Sequence, residues 1–192
     1  MNQLNLNKVD WSKIPAPADD GGAAHLAHLA LPPLALPSTE GGLVAPGTLP
    51  GWNILFFYPM TGQPGVELPE GWDDIPGARG CTPQSCSFRD HASELRALGV
   101  STIFGISTQT TDYQLEAFRR LHLSFPLLSD ASLEMVRALN LPTMTVGGKT
   151  LIKRLTLIVR DGHVHEVFYP VFPPDQNATD VVNYMRRRMG VR

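Results

Sequence analysis

From Trp52 onward the chain alternates short apolar runs with segments of helical period, and that alternation leaves few folds open. Trp52-Asn53-Ile54-Leu55-Phe56-Phe57-Tyr58, closed by Pro59, is apolar almost throughout and too short for a helix. Such a run suits a central strand buried on both faces. From about Pro83 to Leu98, Phe88, Ala92, Leu95 and Leu98 recur at helical spacing, and Gly99 closes the segment. Val100 to Ile106 reads as a second buried strand, Asp112 to Leu121 as a helix and Phe125 to Leu128 as a short strand. Asp130 to Leu139 reads as a helix capped by Asp130 or Ser132. Leu155 to Val159 and Val164 to Phe168 flank Asp161-Gly162, a hairpin signal, and a last helix covers about Asn177 to Met189. Upstream, Leu34 to Leu36 and Leu43 to Ala45 form a small hairpin around Glu40-Gly41-Gly42. The order predicts an α/β domain with a mixed sheet and helices on both faces.

The element order is that of a thioredoxin-like fold. With 192 residues the chain holds one sizeable domain and some decoration. Residues 1–31, broken by Pro15, Pro17, Gly21 and Gly22, read as an N-terminal extension, and 32–192 as the folded domain. The formal net charge of -2, with no long Lys/Arg run, argues against nucleic acid or acidic lipid as partner. Arg186-Arg187-Arg188 ends the last helical pattern, where positive charge is favourable. No apolar span is long enough for a transmembrane helix. The polar stretch Met1 to Lys13 lacks the order of a secretory leader, so a reducing cytoplasm is expected. Cysteines in such a compartment are more often reactive, metal-binding or inert than permanently bridged.

There are two of them, Cys81 and Cys86, in Gly80-Cys81-Thr82-Pro83-Gln84-Ser85-Cys86-Ser87-Phe88-Arg89-Asp90. The nucleophile in thiol chemistry is the thiolate, and a free Cys of pKa about 8.5 is only a few per cent ionised at neutral pH. Lowering that value by about 2.5 units needs roughly 3.4 kcal/mol. A helix start contributes about 0.3–1 kcal/mol, up to about 2 in a partly buried site. A cation must therefore add the rest, and Arg79, Arg89 and Arg154 are the candidates. Residues five apart in an intact helix are displaced about 7.5 Å along its axis. A disulfide needs Cα atoms within roughly 7 Å and converging Cβ vectors. Cys81 and Cys86 can join only if the helix opens, and Pro83 and Ser85 make opening less costly. The spacing is neither the C-x-x-C of a zinc site nor that of a dithiol exchange centre.

These residues resemble a peroxiredoxin of the bacterioferritin comigratory protein or peroxiredoxin Q group. The match is Gly80-Cys81-Thr82-x-x-x-Cys86-x-x-Arg89-Asp90, then Glu94-Leu95 and Leu98-Gly99-Val100. Phe56-Phe57-Tyr58-Pro59, Phe125-Pro126-Leu127-Leu128-Ser129-Asp130 and Lys153-Arg154-Leu155-Thr156-Leu157-Ile158-Val159-x-Asp161-Gly162 also fit, in the same order, over about 34–188. The resemblance implies Cys81 as peroxidatic cysteine, Cys86 as resolving cysteine and Arg154 as the group that holds thiolate and peroxide. The family pattern is Pro-x-x-x-Thr-x-x-Cys. Here Ala78 stands three before Cys81, and Pro59 lies twenty-two residues upstream, which implies an insertion in the 60–80 loop. The hydroxyl that would contact the peroxide is then unassigned: Thr61, Thr82 or a backbone N–H could serve.

The implied activity is thiol-dependent reduction of hydrogen peroxide or organic hydroperoxides, with no metal or organic cofactor. Cys81 becomes a sulfenic acid, Cys86 condenses with it, and a thioredoxin- or glutaredoxin-like dithiol reduces the disulfide. A monomer or homodimer is compatible with the chain. Two other classes stay open: a redox sensor or exchange protein with little turnover, and an interaction domain with inert thiols. His25 and His28, His163 and His165 have metal-like spacing but no evident further ligand. Gly147-Gly148-Lys149-Thr150 is similar to the end of a phosphate loop, but Thr143 replaces its first glycine.

Overall fold

A computed structural model describes residues 9–191. Strands β1 (Leu36–Pro37) and β2 (Leu43–Val44) form the small first hairpin. Then follow β3 (Trp52–Phe57), α1 (Cys81–Ala97), β4 (Val100–Ser107), α2 (Thr111–Arg120), β5 (Leu127–Ser129) and α3 (Glu134–Leu139). The chain ends with β6 (Thr143–Val146), β7 (Lys149–Ile152), β8 (Leu155–Arg160), β9 (His163–Phe168) and α4 (Asn177–Met189).

The main sheet has the order β5-β4-β3-β8-β9. β3 lies at its centre, parallel to β4 and antiparallel to β8. Successive strand residues point to opposite faces, and both faces of β3 are covered. Ile54 and Phe56 join a core with Phe88 and Leu95 of α1, Ala117 of α2 and Val181 and Met185 of α4. Leu55 and Phe57 join a second core with Met135 and Leu139 of α3 and Leu157 and Val159 of β8. Phe56 stacks on Phe88 at 4.5 Å, which seats α1 against the sheet. Gly105 makes room for it: a Cβ there would stand 2.6 Å from the Phe56 ring. These features match the mixed sheet with helices on both faces.

Several boundaries moved for local reasons. α1 starts at Cys81, two residues before the periodicity predicts, because Gly80 caps it in a left-handed conformation, φ 108°. Pro83 then falls at the third helical position, where an N–H would have had no intrahelical acceptor. α3 starts at Glu134 rather than Asp130. Asp130 still serves it, its carboxylate accepting from the N–H groups of Met135 and Val136 at 3.0 and 2.9 Å. The hairpin β6–β7 is new: Gly147 and Gly148, both at positive φ, form its turn, so this segment is a hairpin and not a phosphate loop.

Part of the segment read as an extension packs into the domain. Ala23, Leu26 and Leu31 are buried in the second core. His28 N–H donates to Val164, Val164 N–H to Leu29, and Leu31 N–H to Gly162, which lays this segment along β9. Residues 1–8 lie outside the described residues. No helix among the described residues is long and apolar enough to cross a membrane.

Candidate active site

Cys81 is the first residue of α1, where the backbone N–H groups of the opening turn have no intrahelical acceptors. The residue is 3% exposed. Burial alone would make it a small hydrophobe, but a cation lies against it. Arg154, between β7 and β8, places Nη2 3.2 Å from Cys81 Sγ. The same Nη2 donates to the carbonyls of Gly77, Ala78 and Arg79 at 3.2–3.3 Å. Nη1 donates to Gln84 Oε1 at 2.5 Å. The guanidinium is thus gripped by the end of the 60–80 loop and the first turn of α1, and one atom of it is aimed at sulfur.

A relay of buried polar groups fixes Gln84 in turn. Its Nε2 donates to Asn177 Oδ1 at 2.9 Å, which also accepts from Thr156 Oγ1 at 2.7 Å. Gln84, Asn177 and Thr156 are all fully or almost fully buried, so each bond replaces hydration the groups lost on folding. Asn177 opens α4 and Thr156 lies on β8, so the relay ties the site to the sheet. Sequence reasoning missed all three. Gln84 carries the one readable signal, a polar residue on the buried side of the first helical turn.

The candidate groups separate clearly. Arg154 reaches Cys81. Arg79 pairs with Asp73 at 3.0 Å near the surface. Arg89 pairs with Asp90 at 2.8 Å and donates to the Leu121 carbonyl. Thr82 borders the opening over Cys81. Thr61 is turned away, its hydroxyl and N–H both donating to Gln109 Oε1. Ala78 has only its carbonyl at the site, 3.6 Å from Cys81 Sγ. Tyr58, at the end of β3, is fully buried nearby. Its phenol is pushed up, first by burial and then by the Cys81 sulfur.

Cys86 sits on the same intact helix, also with a free thiol, packed into the core around Phe88. Burial pushes its thiol up, the Arg89 guanidinium opposes this, and Asp90 adds to it. Its helical offset from Cys81 is too great for a disulfide without opening α1. No group of three or more potential metal ligands gathers among the described residues. His25 bonds the Leu139 carbonyl at 2.8 Å and His163 that of Asp161 at 3.1 Å.

The Redoxin family model matches residues 26–184. A putative peroxiredoxin of Mycobacterium tuberculosis is 30% identical over 166 residues, covering 83% of this chain and 92% of the relative. Peroxiredoxin Bcp of Escherichia coli is 29% identical over 160 residues, covering 81% of this chain and 92% of its own. Among solved structures, peroxidoxin BcpB of Mycobacterium tuberculosis superposes with TM-score 0.67 and 25% identity, over 84% of this chain and 96% of that one. Peroxiredoxin Q of Xanthomonas campestris shares the fold, with TM-score 0.66 and 22% identity over 85% of this chain and 98% of that one.

Proposed function

The chain belongs to the Redoxin family, among the peroxiredoxins of the Bcp and peroxiredoxin Q group, with a thioredoxin-like fold and thiol peroxidase activity; from that premise we propose that Cys81, Cys86 and Arg154 carry the reaction. The Cys81 thiolate attacks one oxygen of a hydroperoxide. The S–O bond forms as the O–O bond breaks, sulfur is oxidised by two electrons, and the leaving oxygen takes a proton to depart as water or alcohol. Arg154, already placed at the sulfur, stabilises the negative charge that passes from sulfur to the leaving oxygen. The first turns of α1 then open, the Cys86 thiol attacks the sulfenic acid, and water leaves as the disulfide forms. An external dithiol of the thioredoxin or glutaredoxin type reduces the disulfide by exchange.

The observation that carries this reading is the 3.2 Å contact between Arg154 Nη2 and Cys81 Sγ at the start of a helix. The test is a peroxide titration of the reduced protein followed by intact mass. The expected product has lost two hydrogens; Cys86→Ser gains one oxygen instead, and Cys81→Ser does not react. Full peroxide consumption by Cys81→Ser would overturn the assignment.

One feature favours a second reading, a redox switch with little turnover. Ala78 leaves no hydroxyl at the position where the resemblance expects one to contact the peroxide. Multiple turnovers with peroxide and a reducing dithiol distinguish a peroxidase from a switch that is oxidised once and waits.

A further inference from the structure

Residues 9–20 cross the outside of the site as a strap, and three of them meet the groups that build it. Trp11 lies on Gly80, the residue before Cys81: a Cβ on Gly80 would stand 2.8 Å from the indole ring. Pro17 lies on Gly77, where a Cβ would stand 3.3 Å from the Pro17 Cβ. The Gly77 carbonyl in turn accepts from Arg154 Nη2. At the far end Lys153, the residue before Arg154, donates its Nζ to Asp20 at 2.6 Å, and the Tyr169 hydroxyl donates to Asp20 at 2.7 Å. The strap thus ties the start of α1 to the residue beside the guanidinium.

Its hold on the domain is local. Among the described residues no backbone hydrogen bond joins 9–20 to the rest of the chain, unlike 28–31 along β9. Pro15 and Pro17 lack the N–H that such a bond needs. A cavity of about 260 Å³ lies between Pro17, Ala18 and Asp20 on one side and Met144, Lys153 and Arg154 on the other, so midway the strap bridges more than it packs. The Trp11 ring meets Phe172 edge to face at 6.0 Å. Its Nε1–H is shielded from water and has no acceptor among the described residues. The indole is therefore held by packing alone, and its N–H regains a partner when it returns to water.

Joining Cys81 to Cys86 requires the first turns of α1 to open. Gly80 then leaves its place, and Trp11 loses the ledge on which it rests. We propose that the strap is a latch coupled to that opening, with Trp11 as its positioning residue. Closed, it keeps Cys81 against Arg154. It also slows the step in which the Cys86 sulfur attacks the sulfenic sulfur, the S–S bond forms, the S–O bond breaks and water leaves with the thiol proton. Once the disulfide has formed the latch cannot close, and the Trp11 end of the strap stands free of the domain. The latch presupposes Cys81 and Cys86 as the thiols that join, as proposed above.

Two measurements on the full-length protein test it. The first is the rate of disulfide formation after the reduced protein meets hydrogen peroxide, a step independent of peroxide concentration. Trp11→Ala speeds it at least about tenfold, and Trp11→Phe, which keeps an aromatic ring on Gly80, less than about threefold. Asp20→Ala, at the other end, speeds it about twofold, the scale of a half-exposed ion pair, and leaves the peroxide-dependent step unchanged. The second is trypsin cleavage after Lys13, an exposed residue of the strap, read by intact mass as loss of residues 1–13. The disulfide form is cut at least about tenfold faster than the reduced form. Cys86→Ser is cut at the reduced-form rate with or without peroxide. This ratio is read on the unaltered chain, so it decides the matter even where Trp11→Ala lowers stability. Disulfide formation indifferent to Trp11→Ala, or equal cleavage of the two redox forms, overturns the latch while Cys81 and Cys86 still join. If no disulfide forms, the reading of Cys86 falls and the latch falls with it.

Discussion

The two cysteines lie on one helix, five residues apart, yet their surroundings have opposite chemistry. Cys81 borders a cleft, opens α1 and touches a guanidinium. Cys86 lies among the side chains of the core, and burial pushes its thiol up. One sulfur meets a cation at a helix start; the other is packed against the core, where burial disfavours its charged form. The division of labour proposed for these two identical side chains rests on position along the helix and on what the fold brings against each.

The largest effect should come from removing the cation on the Cys81 side. Arg154→Ala is expected to slow Cys81 oxidation by about a hundredfold, equivalent to about 2.7 kcal/mol in the barrier. Arg154→Lys should recover less than a tenth of the loss, because one ammonium cannot serve Gln84, three carbonyls and the sulfur in the planar fork that Arg154 provides. Stopped-flow oxidation by hydrogen peroxide measures both. Equal rates for all three proteins would leave the contrast between the two thiols without its cause.

The backbone on the Cys81 side comes next. A Cβ on Gly80 would stand 2.3 Å from Pro174 Cγ and 2.8 Å from the Trp11 ring, at φ 108°. Gly80→Ala should cost about 2–3 kcal/mol through strain and overpacking. For a chain of this size that is a fall in Tm of about 4–12 °C. Disulfide formation in the variant should be faster, since the strain is relieved when α1 opens. An unchanged melting curve would show that the helix start is more compliant than its contacts imply.

Gln84 tests whether Arg154 must be held as well as present. Gln84→Leu removes the acceptor of Nη1 and is expected to slow Cys81 oxidation about tenfold, about 1.4 kcal/mol. It should also lower stability by about 1–3 kcal/mol, because buried donors are left unpaired. Gln84→Glu separates the two effects. A carboxylate there satisfies Arg154, so melting should return towards that of the unaltered protein. The rate should stay low, because the new anion neutralises the cation at sulfur. A rate that recovers together with stability would make Gln84 a structural residue only.

The smallest effects lie on the Cys86 side and concern pH. Its thiol is raised above the ordinary value of a free cysteine, chiefly by burial. Stability gained by keeping that thiol neutral inside closed α1 is fully present below about pH 9. It is lost as pH rises through the higher folded-state value. In Cys81→Ser, alkylation of Cys86 by iodoacetamide should therefore accelerate only above about pH 9. Arg89→Ala should move the rise further up and Asp90→Ala back down. Both shifts should be well under one unit, since exposed ion pairs contribute at most about 1 kcal/mol. Rapid alkylation at pH 7 would place Cys86 in water rather than in the core.

Much of the frame was legible along the chain because it depends on neighbours in sequence. The apolar run at Trp52–Phe57 became the central strand, and Asp161-Gly162 became the turn between β8 and β9. The hairpin at Gly147-Gly148 was not foreseen, since its strands are short and its burial mixed, so neither period stands out. Residues 1–31 looked detachable because Pro15, Pro17, Gly21 and Gly22 interrupt them. The apolar residues at 23–31 reveal their place only once β9 offers an edge to lie along.

For the site, the chain by itself determined the helix, the two thiols on it and the offset that keeps them apart, because helical geometry converts spacing directly into distance. The resemblance pointed to Arg154 without giving its geometry. Only the tertiary structure decided that this guanidinium, seventy-three residues further on, stops 3.2 Å from the first sulfur, with Gln84 and Asn177 holding it there. It also decided that Leu68, Trp72 and Trp11 would line the cleft that Cys81 borders. The physical reason is the sheet. Residues remote in sequence are brought together by the pairing of β3 with β8 and by α1 packed across it, and no local period in the chain encodes that meeting.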